Sequence, residues 1–191
     1  MKIGIGIVGM PGSGKSIFTE AARELGIPIL VMGDAVREET LRRGLELSSE
    51  NVLSVAVDLR KKHGKEAIAL LVVRKIEREG IMDRSNVVVI EGLRSPEERD
   101  RFLKFFDRFV IVAIHASPRT RYLRIRQRRR LDDAQSIEML RRRDEKELDF
   151  GIGRLLAMAD IHLVNENKTK EEFIAECRRT IEKILEEADR N

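Results

Sequence analysis

The residues Gly9-Met10-Pro11-Gly12-Ser13-Gly14-Lys15-Ser16 match the pattern G-x-x-x-x-G-K-[ST] at every constrained position. Such a segment is built to hold a chain of phosphates. Its glycines let successive backbone N–H groups turn inward around phosphate oxygens, and the positive end of a helix starting at the loop favours the same anion. Lys15 would reach the β and γ phosphates of ATP, and the Ser16 hydroxyl would ligate Mg²⁺ directly. All eight residues are therefore candidate ATP ligands. The loop by itself does not decide whether phosphate is transferred, hydrolysed or sensed.

A loop of this kind works only between a strand and a helix, and the flanking sequence predicts both. Ile3 to Val8 is short, β-branched and interrupted by glycines, as in a buried strand, and Ile17, Phe18, Ala21, Ala22 and Leu25 recur at helical spacing up to Gly26. Further strands are expected at Ile29 to Met32, Val87 to Glu91, Phe109 to His115 and Ile161 to Val164. Helical stretches follow at Asp34 to Leu47, Ser49 to Lys62 and Lys65 to Glu79. Ser95-Pro96 with Glu98, and Thr169 with Glu172, have the form of capping boxes that open helices. Ser117-Pro118 opens an arginine-rich helix, and another runs to about Phe150. This alternation predicts an α/β fold of three layers, with a five-stranded parallel sheet and ligands at the C-terminal strand edge. One domain is expected, with a core over 1–33 and 84–191, a helical acceptor-binding insertion over about 34–83 and a short arginine-rich lid over about 117–133.

Three segments beyond the loop carry chemistry. Gly33-Asp34-Ala35-Val36-Arg37 follows the second expected strand, Glu91-Gly92-Leu93-Arg94 follows the third, and Arg130-Leu131-Asp132-Asp133 with Arg141 follows the fourth. In these segments the chain resembles the adenylate-kinase-like nucleotide kinases. The resemblance implies that Arg37 and Arg94 hold the acceptor's phosphate, and that lid arginines clamp both phosphate groups. Glu91 stands where that family has Asp, and fewer residues separate it from its arginine. Arg119, Arg126 and Arg130 are the best lid candidates, whereas Arg121, Arg124, Arg128 and Arg129 are expected to face solvent. The catalytic set expected on this basis is Lys15, Asp34, Arg126, Arg130 and Arg141. Arginines reaching in from a closing segment suit phosphoryl transfer, which needs cations around the moving group and exclusion of water.

A second likeness points elsewhere. Ala159-Asp160 with Asn165 is similar to the Ala-Asp-x-x-x-x-Asn stretch of dephospho-coenzyme A kinases, which implies that Asn165 lies near the adenine pocket. There Asp34 would be general base for a hydroxyl acceptor. In the nucleoside-monophosphate reading the acceptor oxygen is already ionised, and Asp34 with Glu91 would orient Mg²⁺-bound waters, Asp34 contacting the acceptor side as well. A third possibility for Asp34 is a helix N-cap. Over its whole length the chain resembles an archaeal nucleotide-kinase-like family described as adenylate-kinase-related. The resemblance implies a kinase with ATP, Mg²⁺ and a small nucleotide-like acceptor.

The bulk composition narrows the alternatives. Of 191 residues, aromatics make up only 4% and Trp is absent, which argues against the stacking platforms of single-strand binders. Seven arginines between Arg119 and Arg130 nevertheless concentrate charge in a chain of net charge +4, so a nucleotide-gated RNA-associated ATPase is a reading from another class. No stretch has the length and apolarity of a membrane span, and the N-terminal residues do not read as a signal peptide. Cys177, the single cysteine, reads as a buried thiol, and a cytoplasmic, reducing setting is expected. His63, His115 and His162 share no metal-ligand spacing. Phe102, Phe105 and Phe106 are expected in the core, the alternative being an interface.

Overall fold

The computed structural model describes residues 1–128 and 136–190. The elements in chain order are β1 (Ile3–Val8), α1 (Lys15–Glu24), β2 (Ile29–Val31), α2 (Met32–Arg42), α3 (Ser49–His63), α4 (Ala67–Arg78), α5 (Ile81–Arg84), β3 (Val87–Glu91), α6 (Pro96–Leu103), β4 (Arg108–His115), α7 (Pro118–Arg128), α8 (Ile137–Phe150), α9 (Ile152–Ala157), β5 (Ile161–Val164) and α10 (Lys170–Asp189). The five strands are parallel in the order β2-β3-β1-β4-β5. Ile5 on the central strand lies in register with Val89 on one side and Val110 on the other. Ligand crevices of such sheets form at the C-terminal edge where the winding reverses, and β1 ends there in the phosphate loop.

The sheet separates two cores. Alternate residues of β1, β3 and β4 (Ile5, Ile7, Val89, Val112 and Ile114) pack against α1 and α10, with Phe18, Phe173, Cys177 and Ile181 fully buried on that side. On the other face Ile90 and Ile111 meet the helices between β2 and β3, together with Phe102, Phe106 and Phe109. Phe106 and Phe109 stack at 5.6 Å, and their rings press on β1 where it has no side chain. A Cβ at Gly4 would come within 2.7 Å of Phe106 and a Cβ at Gly6 within 2.8 Å of Phe109. The glycines that interrupt the apolar run of β1 thus make room for an aromatic cluster.

Both capping boxes form: Ser95 Oγ accepts from the Glu98 N–H, and Thr169 Oγ1 from the Glu172 N–H. Cys177 is fully buried, and burial pushes its thiol up to about 12, which leaves it inert. Several boundaries differ from the sequence reading. β2 stops at Val31, and Met32 already belongs to α2, so Asp34 sits in the first helical turn and Val31 is the N-cap. The short helices α5 and α9 are too brief to show a period in the sequence. Among the described residues no helix is long and apolar enough to cross a membrane.

Candidate functional site

The phosphate loop is fixed by backbone conformations that only glycine adopts freely. Gly12 has φ +81°, and a Cβ there would strike the Arg121 carbonyl at 2.7 Å; Gly14, at φ +109°, packs on the Asn165 amide. Three side chains from outside then hold the loop by its carbonyls. Arg121 donates to the Pro11 carbonyl at 3.0 Å, Asn165 Nδ2 to that of Ser13 at 2.9 Å, and Arg124 to the same oxygen at 3.5 Å. Arg124 also donates to the Asn165 carbonyl at 3.0 Å, so α7, the end of β5 and the loop form one hydrogen-bonded unit. Asn165, expected beside adenine, thus grips the loop itself. Asp160 of the same stretch exchanges both backbone and side-chain bonds with Ile111 and secures the edge of β4.

Arg121 is the deepest charge in this unit. It is 3% exposed and makes a two-pronged pair with Asp144 of α8, at 2.9 and 2.5 Å. The Tyr122 hydroxyl adds a third bond to Asp144 at 2.8 Å, and burial together with that bond pushes the phenol up. These facts correct the expectation that Arg121 and Arg124 face solvent. One face of α7 carries Arg121, Arg124 and Ile125 inward, which leaves Arg119 and Arg126 exposed. Arg130, Leu131, Asp132, Asp133 and Arg129 lie outside the described residues, and so does the side chain of Arg128.

Lys15 folds back beneath the loop and donates to the Gly9 carbonyl at 2.6 Å and the Met10 carbonyl at 3.4 Å. Burial pulls its ammonium down to about 8; the charges of Glu91 and Glu147 push it back up, and Arg94 and Arg143 push it down. The Ser16 hydroxyl is exposed at the start of α1, and the buried Ser13 Oγ has no partner among the described residues. Glycines at the cavity wall, an unpartnered hydroxyl and a lysine beneath it suit a phosphate chain, so the loop fits ATP. Among the described residues no group of three or more metal-ligating side chains occurs, so a Mg²⁺ ion here would depend on Ser16 and phosphate oxygens.

From the loop a cavity of about 420 Å³ runs under the helices between β2 and β3. Lys15, Arg37, Glu91 and Arg94 all line it, so residues expected from separate segments meet there. Gly92, at φ +101°, turns the chain after β3, Leu93 anchors in the core, and the Arg94 N–H is tied to the Glu98 carboxylate at 2.7 Å. Burial holds that carboxyl above its ordinary range. Two cavity cations were not legible in the sequence. Arg60 of α3 reaches Glu98 at 3.5 Å and lies over the Phe150 ring at 5.2 Å, and Arg143 of α8 shares the wall with Glu147 and Phe150. Arg94 pairs with Glu147 at 3.3 Å and lies 5.8 Å from the same ring.

Arg141, expected in the catalytic set, is exposed and does not line the cavity, because residues 143, 147 and 150 share the inward face of α8. A repeat of charged and aromatic residues at that spacing was the available signal. Asp34 also lies outside the lining; it accepts from Arg37 at 2.6 Å and orients that guanidinium. His115 and His162, unrelated by spacing, are brought together on β4 and β5 with ring nitrogens 3.1 Å apart. Burial and then the His162 charge hold His115 below its usual value.

A family model described as an AAA domain matches residues 8–141. A UPF0200 protein of Thermococcus kodakarensis is 45% identical over 181 residues, covering 94% of this chain and 96% of the relative. Among solved structures, TT1252 from Thermus thermophilus superposes with a TM-score of 0.63 at 20% identity, covering 97% of both chains. The shikimate kinase of Aquifex aeolicus gives a TM-score of 0.52 at 20% identity, covering 94% of this chain and 96% of its own. These likenesses to solved structures fix the fold, an α/β fold with a wholly parallel five-stranded sheet and a phosphate loop after β1.

Proposed function

We propose that this chain, which belongs to the UPF0200 family and has the domain described by the AAA-domain model over residues 8–141, is an ATP-dependent phosphotransferase of nucleoside monophosphate kinase type. One observation carries the reading: Lys15 of the donor loop opens on the same cavity as Arg37, Arg60, Arg94 and Arg143. A protein that only binds ATP has no use for four arginines on the far wall of the lysine's cavity. A transferase does, because it must hold two anionic reactants against each other.

In this reading the loop N–H groups hold the donor phosphates, and Lys15 leaves the Gly9 carbonyl to meet the β and γ oxygens. Arg37 and Arg94 orient the acceptor's anionic group, with Arg60 and Arg143 as further cations on the same wall. The acceptor oxygen bonds to the γ phosphorus as the bond to the ADP oxygen breaks, and the arginines stabilise the charge spread over the moving group. Mg²⁺, when bound, would neutralise donor phosphates, held directly by the Ser16 hydroxyl and through water by Glu91, which lines the cavity, whereas Asp34 stays with Arg37. Arg126 and Arg130 would belong to the segment that closes over the donor. Val36, Val52, Ala56 and Ile152 give the cavity an apolar side for the acceptor's organic part. An Asp34 carboxylate already engaged by Arg37 favours an ionised acceptor oxygen over a hydroxyl that needs a base.

The test is a coupled assay of ADP release from Mg-ATP, without acceptor and then across nucleoside monophosphates and dephospho-coenzyme A, with Lys15→Ala as control. A rate that depends on a nucleoside monophosphate is expected. A rate seen only with dephospho-coenzyme A would make Asp34 a base, and slow hydrolysis indifferent to every acceptor would remove the transferase reading.

A further inference from the structure

The outer surface of the helices between β2 and β3 carries a second cavity, of about 530 Å³, with no residue in common with the first. Its cations come from three helices and one cap: Arg42 from α2 and Arg43 from its C-cap, Lys62 and His63 from α3, Arg74 and Arg78 from α4. Its floor is apolar, formed by Leu59, Ala67, Leu70 and Leu71. Among the described residues Glu39 is the only acid in the lining, and it is already committed. It is 8% exposed, accepts from Arg42 at 2.6 and 2.8 Å and from Arg43 at 2.8 Å, and the two guanidiniums hold its carboxyl at about 2. Both arginines are thereby held at the rim by one buried carboxylate.

The remaining acids nearby sit outside the lining. Asp58 pairs with Arg43 at 2.7 Å and with Lys62 at 3.2 Å, and Arg78 reaches Glu79 at 3.2 Å and Glu38 at 4.0 Å. Arg74 and His63 have no ion pair among the described residues. Five permanent cations, a histidine and one neutralised acid around an apolar floor make a cavity that is complementary to a phosphate-bearing organic molecule. The guanidiniums suit the phosphate oxygens, and the leucines suit the organic part.

We propose that this outer cavity is a second anion site, which takes a compact phosphorylated small molecule in contact with Arg74. The site spans α2, α3 and α4, whose other faces carry Arg37, Arg60 and Ile68 into the first cavity. Occupancy would hold those three helices together and so adjust the acceptor wall. Binding here does not depend on the catalytic reading, since Lys15 and the phosphate loop take no part.

Tripolyphosphate is the probe, followed by isothermal titration at about physiological salt with far-UV circular dichroism to confirm folding. Wild-type protein should show two classes of site, Lys15→Ala should keep only the outer one, and Lys15→Ala with Arg74→Glu should lose it. Arg74→Gln should weaken the outer class by about tenfold, the loss of one charge-assisted hydrogen bond. An unchanged isotherm for Arg74→Glu in the Lys15→Ala background would overturn the proposal. So would a site that binds single-stranded RNA through Arg74 but ignores tripolyphosphate, because the surface would then be a nucleic-acid face. Neither result bears on phosphoryl transfer, which is read by turnover.

Discussion

The two walls of the main cavity are held in different ways. On the donor side Arg121, Arg124 and Asn165 grip backbone carbonyls of the phosphate loop, and the pair behind them, Arg121 with Asp144, is buried and doubly bonded. On the acceptor side the arginines hold carboxylates instead: Arg37 holds Asp34, Arg60 holds Glu98, and Arg94 holds Glu147. The three clasping side chains can hold the loop whether or not a ligand is present, Lys15 being the group there that changes partner, whereas a carboxylate can be exchanged for a phosphate. In the proposed reading the donor wall is therefore built in advance, and the acceptor wall would keep its cations paired until an anion displaces their partners.

The sharpest way to break this contrast is at Asp144. Asp144→Ala leaves Arg121 charged and buried without its partner, and should cost about 3–5 kcal/mol in denaturant unfolding. Loss of under about 1 kcal/mol, as for an exposed pair, would place both walls in one class. Lys15→Ala should lower kcat by about 10²–10³-fold and weaken phosphate binding at the loop, with no loss of unfolding midpoint. Arg94→Ala and Arg143→Ala should each raise KM for the acceptor by about tenfold or more while leaving KM for ATP within about twofold.

A smaller effect separates the walls by pH. Burial holds Lys15 at about 8, against 10.5 in the unfolded chain, so the folded protein binds fewer protons between those values. The penalty for burying the ammonium is complete below pH 8 and is relieved as pH rises through that window, so stability relative to Lys15→Met should rise there. ATP affinity should fall over the same range, because a neutral amine offers phosphate no charge, while Lys15→Arg should show a flat profile. The smallest effect is expected at Arg141, where Ala should change kcat/KM by about twofold or less, beside the large change at Arg143.

How much of this could be read beforehand follows from what sets each feature. The loop, the alternation of strands and helices behind the parallel sheet and both capping boxes rest on local rules, and Gly9 to Ser16, Ser95 with Glu98 and Thr169 with Glu172 announce themselves in sequence. Arg37 and Arg94 were legible through the resemblance of the segments Gly33 to Arg37 and Glu91 to Arg94 to those of the nucleotide kinases. The facing of helices was not: in α7 a run of arginines conceals which of them turns inward, and packing against Asp144 selects Arg121 over Arg126. Arg60 is one charge among many on α3, and only its position over Phe150 singles it out. His115 and His162 meet because β4 and β5 pair, which no spacing records.

The central place of β1 has a consequence for how the chain acquires its shape. Ile3 pairs with Val87 on one flank and Arg108 on the other, so β1 is made well before either of its neighbours and must wait for partners from later in the chain. Such distant pairings slow folding and leave apolar strand edges open meanwhile. A nascent chain that ends before Arg108 already holds the whole of Gly9 to Ser16 but only one neighbour for β1, and Arg121 and Asn165, which clasp the loop, come later still. Nucleotide affinity in this protein should therefore arise late in synthesis, after the motif that encodes it has long been exposed to proteases and chaperones.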